Sequence, residues 1–159
     1  MLDIHKYFEY NMNKVNMLRR FRQLSLFFSV LALLTGLLIY LVLRENTYIN
    51  SLIPEHIGNI VKYCFKAVPQ NSFIKYYFAD FLWCYALNYA LCVVQVSISA
   101  KKLIVISIVS FLVGIAFEIM QLFSICIGTF DLIDIGMYFA ASLLSVVINI
   151  ILLKRKGLL

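Results

Sequence analysis

Charge is what this sequence has least of. Only 14% of its 159 residues are charged and 63% are hydrophobic, whereas an ordinary soluble domain is about 25% charged and about 45–50% apolar. That shortage excludes a soluble globular domain and a disordered chain. Six glycines and two prolines exclude a collagen. Cysteine is sparse as well: Cys64, Cys84, Cys92 and Cys126 form neither a C-x-x-C pair nor a Cys/His ligand pattern. Cys84 and Cys92 fall in apolar stretches, where a thiol packs as a small hydrophobe. Two readings stay open, a Cys64–Cys126 disulfide near one membrane face or four unpaired packing thiols.

Long uncharged runs fill the space that charge leaves, and mean hydropathy reaches +0.90. Apolar segments cover about residues 24–43, 73–98, 103–127 and 130–153. Each is long enough to cross about 30 Å of hydrocarbon as a helix. The sequence therefore predicts an all-α membrane protein, a four-transmembrane-helix bundle forming one domain over residues 24–153. A basic arm (1–23) precedes it and a basic tail (154–159) follows. In the loop over residues 44–72, Ile53, Ile57, Ile60, Val61 and Phe65 recur near helical spacing between Pro54 and Pro69. That pattern predicts a short amphipathic helix lying at the outer interface.

Lysine and arginine placement predicts the orientation. The arm (Lys6, Lys14, Arg19, Arg20, Arg22), the turn at Lys101 and Lys102, and the tail (Lys154, Arg155, Lys156) hold ten of the 14 basic residues. Both termini are expected on the cytoplasmic side. The long polar arm and the absence of a small-residue cleavage site make the first span a signal-anchor. The arm itself reads either as a topogenic charge cluster or as an interfacial helix on an anionic inner leaflet. The net charge of +6 does not imply nucleic acid, because these bases flank spans and no aromatic stacking motif accompanies them.

Acids inside spans cost about 2.5–3.5 kcal/mol each at mid-membrane and call for a function or a partner. At about 1.5 Å per residue, Asp80 lies about 10 Å, Glu118 about 13 Å and Gln121 about 9 Å below the outer surface. Asp131 falls at the surface and Asp134 one turn deeper. Four acids from three spans thus share one outer-leaflet layer. On the third span, Ser107, Ser110, Gly114, Glu118 and Gln121 form one stripe. On the fourth, Asp134, Tyr138, Ala141, Ser145 and Asn149 do the same. Gly136 and Ala140 offer a close-packing surface beside them. The pattern predicts a polar cleft between spans two, three and four. Asp131 and Asp134 have a second reading as caps of the fourth helix, and Asp80 as a partner of Lys75. Asn88, Gln95 and Asn149 read as interhelical hydrogen-bonding groups.

The segment Phe117-Glu118-Ile119-Met120-Gln121, followed by Gly128-Thr129-Phe130-Asp131-Leu132-Ile133-Asp134, resembles the VanZ-like membrane proteins. Glu118 and Gln121 match that family's E-x-x-Q element, and Asp131 and Asp134 its D-x-x-D element. Gly136, Ala140, Ala141 and Ser142 match the small-residue run after it, and Asp80 with Asn88 corresponds to polar positions of the preceding span. The resemblance covers roughly residues 73–153. The family's usual Arg between the two elements, its Asn after the second Asp and its P-x-G after the polar span are absent here. The resemblance implies a bacterial inner-membrane protein of the cell envelope. The name-giving member is linked to low-level resistance to the glycopeptide teicoplanin.

Together these readings make Glu118 and Asp134 the catalytic acid/base candidates, with Asp80, Gln121, Asp131 and Tyr138 contacting the ligand. Gln121 would orient Glu118. A divalent cation would draw on Glu118, Asp131 and Asp134. No Ser/His or Cys/His pair is embedded, so the choice between enzyme and binder stays open. The first expectation is a cleft that binds or modifies a lipid-linked or glycopeptide-related envelope ligand. The alternatives are an accessory subunit whose cleft receives a membrane partner's basic helix, and a small oligomeric transporter coupled to protons or cations through Glu118.

Overall fold

A computed structural model describes residues 2–43, 54–64, 71–126 and 128–155. Among them every regular element is helical and no strand occurs. Helix α1 (Leu2–Leu43) is continuous through the arm and the first apolar run, so residue 23 marks no structural break. Helix α2 (Glu55–Cys64) is the expected amphipathic helix. The Pro54 carbonyl accepts from Ile57 and Gly58 N–H at its start, and Ile57, Ile60 and Tyr63 stay exposed along it. A π-helical turn (Ile74–Phe78) leads directly into α3 (Ala79–Val93). Helices α4 (Ala100–Leu122) and α5 (Leu132–Arg155) complete the chain. Residues 44–53 and 65–70 of the loop, residue 127, the tail from residue 156, and the side chains of residues 1–11, 13, 14, 55, 61, 62 and 64 lie outside the described residues.

Three helices, α1, α4 and α5, are long and apolar enough to cross a membrane, as an integral membrane protein requires. The second apolar run ends earlier than its composition suggests. It is helical from residue 72 to 93, and Val94–Ser99 form a turn. Two interactions fix that boundary. The Ser99 hydroxyl accepts from Lys102 N–H at 3.3 Å, capping α4, while the Arg22 guanidinium donates to the Gln95 carbonyl. Gln95 therefore belongs to the turn and not to the helix that carries Asp80. At the other end α4 stops at Leu122, short of the expected 127, because Ser124 takes φ 56°. The N–H groups of Phe123 and Ile125 then turn back onto the carbonyls of Ile119 and Met120.

Helix α3 is the hub, packed against α1, α4 and α5. Its neighbours run antiparallel to it or to one another, as the cross-links show. Ser29 Oγ donates to the Ala86 carbonyl at 3.0 Å. Asn88 Nδ2 donates to Ser107 Oγ, which donates onward to the Ser142 carbonyl at 2.6 Å. Inside an apolar medium such bonds locate helices because an unmade one is costly. Enclosure on several sides also lets the most polar run, with Asp80 and Asn88, sit among apolar ones. The outward faces of α4 and α5 expose Val105, Ile108, Leu112, Leu143 and Val147, as a lipid-facing surface requires.

One expectation is corrected here. Gly136 and Ala140 do not form a packing surface: both are exposed, and a Cβ on Gly136 would meet nothing within 4 Å. The close approach between α4 and α5 is made instead at Gly114, against the ring of Tyr138. Of the two readings of the cysteines, the described thiols fit the unpaired one: Cys84, Cys92 and Cys126 are free.

Candidate functional site

The buried stripe of α4, Ser107, Ser110, Gly114 and Glu118, faces Tyr138 and Ala141 of α5. Gly114 makes this possible. A Cβ there would stand 2.6 Å from the Tyr138 ring, so only a bare Cα lets the phenol lie flat against α4. The ring is thereby aimed along α4 toward Glu118.

Glu118 is 1% exposed and fully engaged. Tyr138 Oη donates to its Oε1 at 3.2 Å, and the backbone N–H of Asp131 donates to its Oε2 at 3.0 Å. One carboxylate thus ties α4 to the start of α5. Asp131 in turn caps α5, its Oδ1 accepting from Ile133 N–H at 2.8 Å, and it lies within electrostatic reach of Tyr77. Asp134 lies within electrostatic reach of Tyr77 and Tyr138, and Asp80 within reach of Tyr138. The four acids from three helical runs do converge, and two tyrosines stand between them.

Beside this cluster a cleft of about 450 Å³ opens between α3 and α4. Asp80, Trp83 and Leu87 line its α3 side, and Val113, Phe117 and Gln121 its α4 side, with Tyr138 contributing to the wall and Tyr40 of α1 at the edge. Trp83 is 46% and Phe117 53% exposed, so the mouth lies on the lateral, apolar surface of the bundle. Of the sequence-derived candidates, Asp80, Gln121 and Tyr138 reach the cleft. Glu118, Asp131 and Asp134 do not line it.

Gln121 is held by the α4–α5 connection. Gly128, at φ +144°, lies so close that a Cβ would come within 2.7 Å of the Gln121 side-chain amide carbon. Gln121 makes no hydrogen bond to Glu118, whose two oxygens are taken by Tyr138 and Asp131. Its expected role of orienting Glu118 therefore falls to those two groups.

Among the described residues, no group of three or more His, Cys, Asp or Glu is arranged to hold an ion. The reason is visible in Glu118 and Asp131, whose oxygens point at protein donors and not at a shared centre.

What the cleft offers is a carboxylate, an amide and a phenol among the apolar side chains of Leu87, Val113 and Phe117. Cys84 lies in its wall with Sγ 3.4 Å from Ser142 Oγ and 3.5 Å from the Tyr138 carbonyl. Among the described lining residues there is no histidine to activate that thiol. Tyr77, Trp83 and the π-turn were not singled out by the sequence. Their signal was spacing: Tyr77 and Trp83 stand three residues either side of Asp80, the interval of a shared helical face. No family model, curated protein or solved structure matches this chain.

Proposed function

We propose that this protein is a VanZ-like membrane protein of the bacterial cytoplasmic membrane whose α3–α4 cleft binds an amphiphilic, lipid-linked envelope ligand in the outer leaflet. In this reading the helical run 72–93 is a fourth crossing, both termini face the cytoplasm, and α2 lies at the outer surface. The observation that carries it is the lateral cleft. It is within the usual size range of a small-molecule site, it opens toward lipid, and Asp80, Gln121 and Tyr138 bring polar groups to an otherwise largely apolar lining. A ligand entering from the bilayer would lay its chain along Leu87, Val113 and Phe117 and bring its headgroup to Asp80, Gln121 and Tyr138.

Glu118 is a positioning residue in this account, acting through the Tyr138 hydroxyl and the Asp131 N–H. The function proposed is binding.

The test is to identify lipids that co-purify with the wild-type protein, with Asp80→Asn and with the cleft-filling variant Val113→Phe. A headgroup-bearing lipid retained by wild type and lost from both variants supports the proposal. An identical lipid profile in all three overturns it. Teicoplanin tolerance on expression in a susceptible bacterium, lost in Asp80→Asn at equal protein level, would tie the cleft to the VanZ-like reading.

A further inference from the structure

The opposite end of the bundle carries a different feature. Phe21 of α1, Cys92 of α3, Leu103 of α4 and Leu153 of α5 meet in one buried apolar plug. Each helix that supplies a plug residue, α3 apart, carries bases immediately beside it. Arg20 and Arg22 flank Phe21, Lys101 and Lys102 precede Leu103, and Lys154 and Arg155 follow Leu153. Three basic pairs that are far apart in sequence are thus drawn around one rigid centre. No Asp or Glu occurs in residues 10–44, 81–117 or 135–159, the stretches that bear them.

Two of the six are already held in place. Arg22 donates to the Gln95 carbonyl, and Lys102 Nζ donates to Ser97 Oγ. Both bonds fasten the bases to the α3–α4 turn and keep their charges at the end of the bundle. Arg20, Lys101, Lys154 and Arg155 remain exposed. Just along the helices from them the surface turns apolar: Leu26 and Phe27 on α1, Ile104 and Val105 on α4, and Ile151 on α5 are all exposed.

We propose that this basic collar is a binding site for anionic phospholipid, with the phosphate held by the collar and the acyl chains lying on the neighbouring apolar faces. Topogenesis accounts for bases near span ends, but not for their convergence on one plug or for the two bonds that orient them. The adjoining apolar faces select a lipid over a soluble anion, since they provide a seat for chains beside the charge. Basic groups between helix ends recognise acidic headgroups, each contributing about a fivefold change in affinity near a charged surface.

The test uses the purified full-length protein in neutral detergent, titrated with phosphatidylglycerol and with phosphatidylcholine, and read by native mass spectrometry. Wild type should retain phosphatidylglycerol in preference to phosphatidylcholine, and the preference should weaken with added salt. Lys101→Gln/Lys154→Gln/Arg155→Gln should lower that preference by roughly a hundredfold, about fivefold per charge removed. The charge-conserving Lys101→Arg/Lys154→Arg variant should keep it, which separates charge from folding damage. Lys75→Gln, at the acidic end, should leave it unchanged. A preference unaffected by the triple substitution overturns the proposal. Displacement of the lipid by equimolar inorganic phosphate also overturns it, because the collar would then be a site for soluble anions.

Discussion

Tyr138 and Gly114 are in contact because one of them has no side chain. The ring of the first occupies the place where a Cβ of the second would stand, at 2.6 Å. That contact sets the distance between α4 and α5, aims the phenol at Glu118, and shapes one wall of the cleft. Gly114→Ala should cost about 1–3 kcal/mol, the usual penalty for overpacking a close helix contact. Chemical unfolding in detergent measures the loss. Trp83, the only tryptophan, should report a changed emission because it lies across the same cleft.

The Tyr138–Glu118 hydrogen bond is buried, and removing one partner strands the other. Tyr138→Phe should destabilise the protein by about 1–3 kcal/mol, the cost of leaving a buried acceptor unsatisfied. Glu118→Leu should cost a similar amount, by releasing Asp131 N–H as well. The double variant should cost less than the sum of the two, and a thermodynamic cycle in a fixed detergent checks this.

Gly128 combines φ +144° with a close approach to Gln121. Gly128→Ala is therefore strained in two ways and should destabilise the α4–α5 connection by about 1–3 kcal/mol. Hydrogen exchange should accelerate at 123–131 while the middle of α3 is unaffected. Gln121→Ala in the Gly128→Ala background should recover part of the loss by removing the obstructing amide.

Ser25 Oγ is buried with no hydrogen-bond partner among the described residues, and the residue is 1% exposed. Removing an unsatisfied polar atom of this kind is neutral or favourable. Ser25→Ala should leave stability unchanged or raise it by up to about 1 kcal/mol. The contrasting Ser29→Ala should lower it, since Ser29 donates to Ala86 across the α1–α3 contact.

The sequence carried the helical class and the convergence of the acids, because hydropathy and three- and four-residue spacing are local properties. Glu118, Asp131 and Asp134 could be placed within one layer from depth alone. Which of them faces a cavity could not be read that way. Whether a side chain points into a cleft or behind it depends on helix rotation, which Gly114 and Tyr138 set by contact. Gly136 and Ala140 illustrate the same limit: their spacing suits close packing, yet the pair faces outward. The early end of the second apolar run was hidden because Val94 and Val96 are as apolar as the helix before them. Arg22, more than seventy residues away, supplies the bond that holds the turn.

If the α3–α4 cleft takes up one amphiphile from the bilayer, as proposed, Trp83 at its mouth reports it directly. Its fluorescence should be followed while brominated lipids are titrated into the detergent-solubilised protein. The account predicts a saturable quench with one lipid per chain, abolished in the cleft-filling variant Leu87→Phe/Val113→Phe. A quench that simply tracks lipid mole fraction, and is the same in that variant, would contradict it.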